Sequence, residues 1–205
     1  MSTPPEPNAG PAPAEPRVPA SGTATAGGPG VPPEVPETLI LGLGNLLLRD
    51  EGVGVHVLRR LEQALSFPPE VELLDGGTAG MDLLPHLAGR RRLLMIDAIV
   101  AKPDDLDSNG LRILRDETIR AALTEKVSLH HLGLSDLLAM AELLGDLPDQ
   151  VTLIGVPPER LELGTDLSER VAGQIPRIIA LVLAELARWG VRDANDLVAT
   201  GRDND

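Results

Sequence analysis

Thr38-Leu39-Ile40-Leu41-Gly42-Leu43 is a continuous apolar run stopped by glycine, the pattern of a strand buried on both faces of a sheet. From Gly52 to Leu65 the period changes, with Val53, Val57, Leu58, Leu61 and Leu65 at helical spacing. Val71-Glu72-Leu73-Leu74-Asp75 reads as a second strand ended by Gly76-Gly77, after which Thr78 is placed to cap a short helix carrying Met81, Leu84 and Leu87. Leu93-Leu94-Met95-Ile96-Asp97 is a third strand, again apolar and again ending in a carboxylate. Leu111 to Leu114 gives a fourth, Ser135 caps a helix to about Leu144, and Val151 to Val156 gives a fifth strand. Ser168 caps a long final helix with Val171, Ile175, Ile178, Ile179, Val182 and Leu186 on one face; Pro176 inside it is expected to kink it.

Strands alternating with helices predict an α/β fold with three layers, α/β/α. The expected sheet is twisted, five-stranded and mostly parallel, in the order 2-1-3-4-5, with right-handed crossovers and helices on both faces. The periodic part forms one domain, residues 37–190. Residues 1–36 hold 11 of the 19 prolines among Ala, Gly, Ser and Thr, with Arg17 as the one basic residue, so this extension is expected to be disordered. The polar tail, 191–205, is expected to be loose.

Composition narrows the chemistry. With one Phe, one Trp and no Tyr, the core must be aliphatic, and stacking platforms for single-stranded nucleic acid are not expected. A formal net charge of -13 would repel a phosphate backbone and serves solubility. Cysteine is absent, which removes disulfides, iron–sulfur ligation and thiolate nucleophiles; any metal must sit on oxygen and nitrogen. No signal peptide is apparent and no apolar run approaches the roughly 20 residues that span a bilayer, so a cytoplasmic location is expected.

The loop after the first strand runs Gly42-Leu43-Gly44-Asn45-Leu46-Leu47-Leu48-Arg49-Asp50-Glu51-Gly52-Val53-Gly54. A glycine pair here, with Asp75 ending the next strand, resembles a dinucleotide fingerprint and makes a nucleotide-binding oxidoreductase-like module the alternative function. The third glycine of that fingerprint is replaced by Leu47, and Asp50 and Glu51 open the helix where a pyrophosphate would be repelled. Taken alone, those two acids read as first-turn residues favoured by the helix dipole. Asp97 changes the balance, because ligands of open α/β sheets bind beyond the carboxyl ends of strands at a switch point, and strands one and three would be neighbours there. Glu51 and Asp97 then make a plausible cation site, and the loop Ser128-Leu129-His130-His131 offers an imidazole. His56 and His86 read as surface or packing residues, and Ser128 lies in no nucleophile pattern.

Several segments together, in order, resemble the [NiFe]-hydrogenase maturation endopeptidases: residues 42–54, Asp75-Gly76-Gly77-Thr78-Ala79-Gly80-Met81, Asp97-Ala98-Ile99-Val100, the 128–134 histidine loop and Leu153 to Glu159. The resemblance spans about residues 38–190. It implies an aspartyl or metal-dependent endopeptidase that removes the C-terminal extension of the nickel-loaded large-subunit precursor, its partner. Glu51, Asp97 and His130 match the family's metal-binding trio, and Asp75 matches a further acid, so Asp75, Glu51 and Asp97 are the catalytic candidates. Nickel, that of the substrate precursor, is the expected metal; a metallohydrolase with resident zinc is a second alternative, and a non-enzymatic nickel carrier a third. Neither nucleic acid nor membrane insertion is expected.

Overall fold

The computed structural model describes residues 35–119 and 134–191, which all belong to the compact unit that begins at Glu34. The extension up to residue 34, the Ser128 to His131 loop and the tail from residue 192 lie outside the described residues.

Five strands form one sheet: β1 (Thr38–Leu43), β2 (Val71–Gly77), β3 (Arg92–Ala98), β4 (Arg112–Arg115) and β5 (Gln150–Val156). Helices α1 (Val53–Ala64), α2 (Leu84–Leu87), α3 (Leu134–Leu144) and α4 (Glu169–Arg188) accompany them. Side chains alternate between two aliphatic cores. Ile40, Leu94, Ile96, Ile154 and Val156 point to one face, where Val57, Leu58 and Leu61 of α1 meet Ile178, Val182 and Leu186 of α4. Leu39, Leu41, Leu93, Met95 and Leu153 point to the other, under Leu87 of α2 and Leu137, Leu138 and Ala141 of α3. The three-layer α/β/α architecture is the one expected, and a strand apolar on both faces is the reason β1, β3 and β5 announce themselves as unbroken runs.

The strand order is β2-β1-β3-β5-β4, not 2-1-3-4-5, and β4 runs antiparallel to β5 while the other pairs are parallel. The cause is visible in the residues. β5 is buried along nearly its whole length and needs an interior position, whereas β4 is four residues with Arg at each end, a composition that suits an edge. Between β3 and β4 the only helical element is the three-residue 3-10 turn Pro103–Asp105, too little for a parallel crossover.

Three local expectations are also corrected. β2 runs on through Gly76 and Gly77 and ends there, with a register shift opposite Gly42 and Leu43. Thr78 caps nothing: the 3-10 turn Gly80–Leu83 starts from Ala79 without a side-chain cap and leads into α2. Ser135 lies inside α3, whose described part starts at Leu134. The Ser168 cap is as expected, its Oγ accepting the Val171 N–H at 3.3 Å, and α4 is one 20-residue helix with Pro176 within it. Val191, read as the start of a loose tail, is buried in the core beside Trp189. Among the described residues no helix is long and apolar enough to cross a membrane.

Candidate active site

Two glycines shape the turn that carries the first acids. Gly44 has φ 122°, and a Cβ there would lie 1.7 Å from the Glu51 carbonyl oxygen, so the chain folds back on its own start. A Cβ on Gly54 would lie 2.1 Å from the Ile96 carbonyl oxygen and 2.5 Å from that of Leu43. The first turn of α1 is therefore wedged against the carboxyl ends of both β1 and β3. The spaces a glycine-rich phosphate loop would offer are filled by this chain's own backbone, which leaves no cradle for a pyrophosphate.

Arg49, Asp50, Glu51 and Gly52 form a single 3-10 turn packed on β3. In it the two neighbouring acids part company. Asp50 is wholly buried. Its Oδ2 accepts the N–H groups of Glu159 and Arg160 at 2.9 and 2.8 Å, and its Oδ1 that of Ser168 at 2.7 Å. Burial would raise its pKa, but the Ser168, Arg160 and Glu159 amides, with the Ser168 hydroxyl, outweigh that and hold it below the usual carboxylate value. Arg49 adopts φ 48° and is held there from both ends: its N–H donates to the Gly164 carbonyl at 2.9 Å, and its guanidinium meets Glu162 at 3.1 Å.

Glu51, by contrast, is half-buried, with Oε2 shielded from solvent. Asp97, next to last on β3, is wholly buried, and its Oδ1 is likewise shielded. The turn bearing Glu51 packs on β3, the strand that carries Asp97, and the adjoining start of α1 reaches the Ile96 carbonyl. Asp75, level with Gly42 at the carboxyl end of β2, is exposed; its Oδ1 accepts the Gly77 N–H at 3.1 Å and its Oδ2 lies 3.7 Å from Arg59 on α1. His130 and His131 lie outside the described residues, and among the described residues no three His, Asp or Glu groups gather as a metal site.

His86 is exposed on α2. His56 is a packing residue: its Nε2 donates to the Thr165 carbonyl at 3.1 Å, and burial lowers its pKa, reinforced by Arg59, against the opposing pull of that carbonyl and of Asp166. Sequence reasoning missed the seam between the acid turn and the 159–168 segment, where Leu48 pairs with Gly164 and the exposed Leu47 and Leu163 flank the join. It also missed Arg59 as the companion of Asp75.

A parallel-rich α/β sheet with carboxylates on the carboxyl ends of β2 and β3 and on the turn after β1, and backbone where phosphate would need space, fits a hydrolytic enzyme better than a nucleotide-binding one. Comparison with known proteins makes this specific. Residues 55–185 match the hydrogenase maturation protease family. The chain is 45% identical over 153 residues to the hydrogenase 2 maturation protease of Escherichia coli K12, covering 75% of this chain and 92% of that protein. It is 40% identical over 168 residues to the hydrogenase expression/formation protein HupD of Rhodobacter capsulatus, covering 78% of this chain and 79% of the relative. Among solved structures, the hydrogenase maturating endopeptidase HybD from E. coli superposes with a TM-score of 0.68 at 44% identity, over 75% of this chain and 94% of that one. The [NiFe] hydrogenase maturation protease HybD from Thermococcus kodakarensis gives 0.56 at 28% identity, over 76% and 99%. The chain belongs to the hydrogenase maturation protease family and is a peptidase.

Proposed function

We propose that this peptidase removes the C-terminal extension of a nickel-loaded [NiFe]-hydrogenase large-subunit precursor, using Glu51, Asp97 and His130 as metal ligands and Asp75 as the group that positions water or moves a proton. One observation supports the reading: the turn bearing Glu51 packs on β3, which carries Asp97 next to its end. Carboxylate oxygens with an imidazole nitrogen are a donor set that divalent cations accept. A bound divalent ion would supply Lewis-acid polarisation of the scissile carbonyl. Nickel arriving with the precursor is part of the substrate; zinc is the alternative ion.

The protein's own groups do the rest. Glu51 is held by a turn fixed at both ends, so its carboxylate meets the substrate with little reorganisation. Asp75 stands exposed at the carboxyl end of β2 with one oxygen tied to Gly77 N–H and the other facing Arg59, which orients it as a proton acceptor for an incoming water. Leu47 and Leu163, 62% and 80% exposed beside the acid turn, give the precursor's extended tail an apolar surface to lie against. The test is the length of the large subunit in cells lacking this protein. Retention of the C-terminal extension is expected, and a subunit of mature length would contradict the assignment.

A further inference from the structure

We infer that Asp50 is the positioning residue of the site: its buried carboxylate clamps the Glu51 turn to the segment between β5 and α4. This rests on the reading of Glu51 as a group that acts on the metal or substrate. Asp50 and Glu51 are consecutive in a four-residue 3-10 turn, so fixing one side chain fixes the direction of the other. The clamp is two-sided. Asp50 accepts three N–H groups, from Glu159, Arg160 and Ser168, while its own N–H donates to the Arg160 carbonyl at 3.2 Å. Arg49 and Leu47 add two further backbone bonds to Gly164, at 2.9 and 3.0 Å. Ser168 is the N-cap of α4, so the carboxylate also lies at the positive end of a 20-residue helix.

The geometry requires a carboxylate and not merely a polar group of that shape. All three incoming partners are donors, and an ionised carboxylate has only acceptors to offer. An amide in its place must turn an NH2 towards at least one N–H, leaving two buried donors facing each other. Glu51 takes no part in the hydrogen bonds that hold Asp50, so the two adjacent acids are free to have different tasks.

The test compares cleavage of nickel-loaded precursor by wild type, Asp50→Asn, Glu51→Gln and Glu185→Gln. Glu185 is a buried acid of α4 paired with Arg115 and Arg188, and it serves as a stability control away from the turn. Asp50→Asn is expected to lower kcat by about 10- to 100-fold, the scale of a misplaced catalytic group, with KM changed less than about threefold. Glu185→Gln at an equal or lower melting temperature is expected to keep its kcat. Folded Asp50→Asn turning over like wild type while Glu51→Gln is inactive would overturn the clamp alone, whereas a fully active Glu51→Gln would overturn the metal-site reading beneath it. Should Asp50→Asn fail to fold, a second pair decides. Ser168 has φ -59°, which proline can adopt, so Ser168→Pro removes the donated N–H while Ser168→Ala removes only the hydroxyl cap. The proline variant is expected to be the slower of the two by about tenfold or more; equal kcat in the pair would overturn the inference.

Discussion

Gly54→Ala puts one methyl group where α1 meets the sheet, and its cost can be worked from the contacts. Helix propensity favours the change by about 0.8–1.0 kcal/mol. Against it, the new Cβ would stand 2.1 Å from the Ile96 carbonyl oxygen, 2.5 Å from the Leu43 carbonyl oxygen and 2.6 Å from the Leu43 nitrogen. All three obstacles are main-chain atoms of β1 and β3, so no side chain can turn aside. Ordinary contact begins near 3.4 Å, so the start of α1 must retreat by about 1.3 Å. Overpacking of a tight interior costs about 1–3 kcal/mol, and rigid obstacles put this case at the upper end. The net expectation is a loss of about 2 kcal/mol, which for a domain of this size lowers Tm by about 4–8 °C. The same retreat shifts the turn bearing Glu51 relative to β3, and a displacement of a catalytic group by about 1 Å can cost about 100-fold in rate, so cleavage is expected to slow. Urea denaturation and precursor cleavage measure the two effects separately. A variant with wild-type stability and turnover would refute the claim that α1 is seated directly on the ends of β1 and β3.

Four further outcomes follow from the same contacts. Glu51→Gln and Asp97→Asn should each abolish or strongly impair processing with little loss of thermal stability, since each keeps the side chain's shape; full activity in either would remove the metal-site proposal. His130→Ala should be inactive and His131→Ala milder, and the reverse result would move the ligand to His131. Asp107 gains pH-dependent stability: burial would raise its pKa, but the Leu111 and Asn109 N–H groups outweigh this and lower it from 3.8. That contribution is present above about pH 4 and is lost as pH falls through the folded value, so the Tm gap between wild type and Asp107→Asn should narrow below about pH 4; a constant gap would count against it. A chain starting at Glu34 should fold and process precursor normally, and failure to fold would show that the Pro-rich extension belongs to the domain.

The layers of this fold were legible because the sheet is buried on both faces, which makes β1, β3 and β5 unbroken apolar runs and leaves α1 and α4 with clear helical stripes. The order of the last two strands was misjudged although the signal was present: Arg112 and Arg115 bracket an edge strand, while β5 carries no charge at all. The positions of Asp75 and Asp97 were legible, since an acid closing an apolar run stands out, and both lie at the carboxyl ends of parallel strands. What could not be read locally is that Asp50 is wholly buried while its neighbour Glu51 is only half-buried. The partners of Asp50 are main-chain donors 109, 110 and 118 residues away, and any residue type but proline supplies such a donor. The glycines were ambiguous for a related reason: close approach of backbone to backbone and of backbone to phosphate ask for the same missing Cβ.

The most direct test of the account is processing of two forms of one precursor by the purified enzyme. Hydrogenase large-subunit precursor, loaded with nickel or kept nickel-free, would be incubated with the full chain and the C-terminus read by mass spectrometry. Loss of the extension from the nickel-loaded form alone is the predicted result. Equal cleavage of both forms, or cleavage of neither, would contradict it.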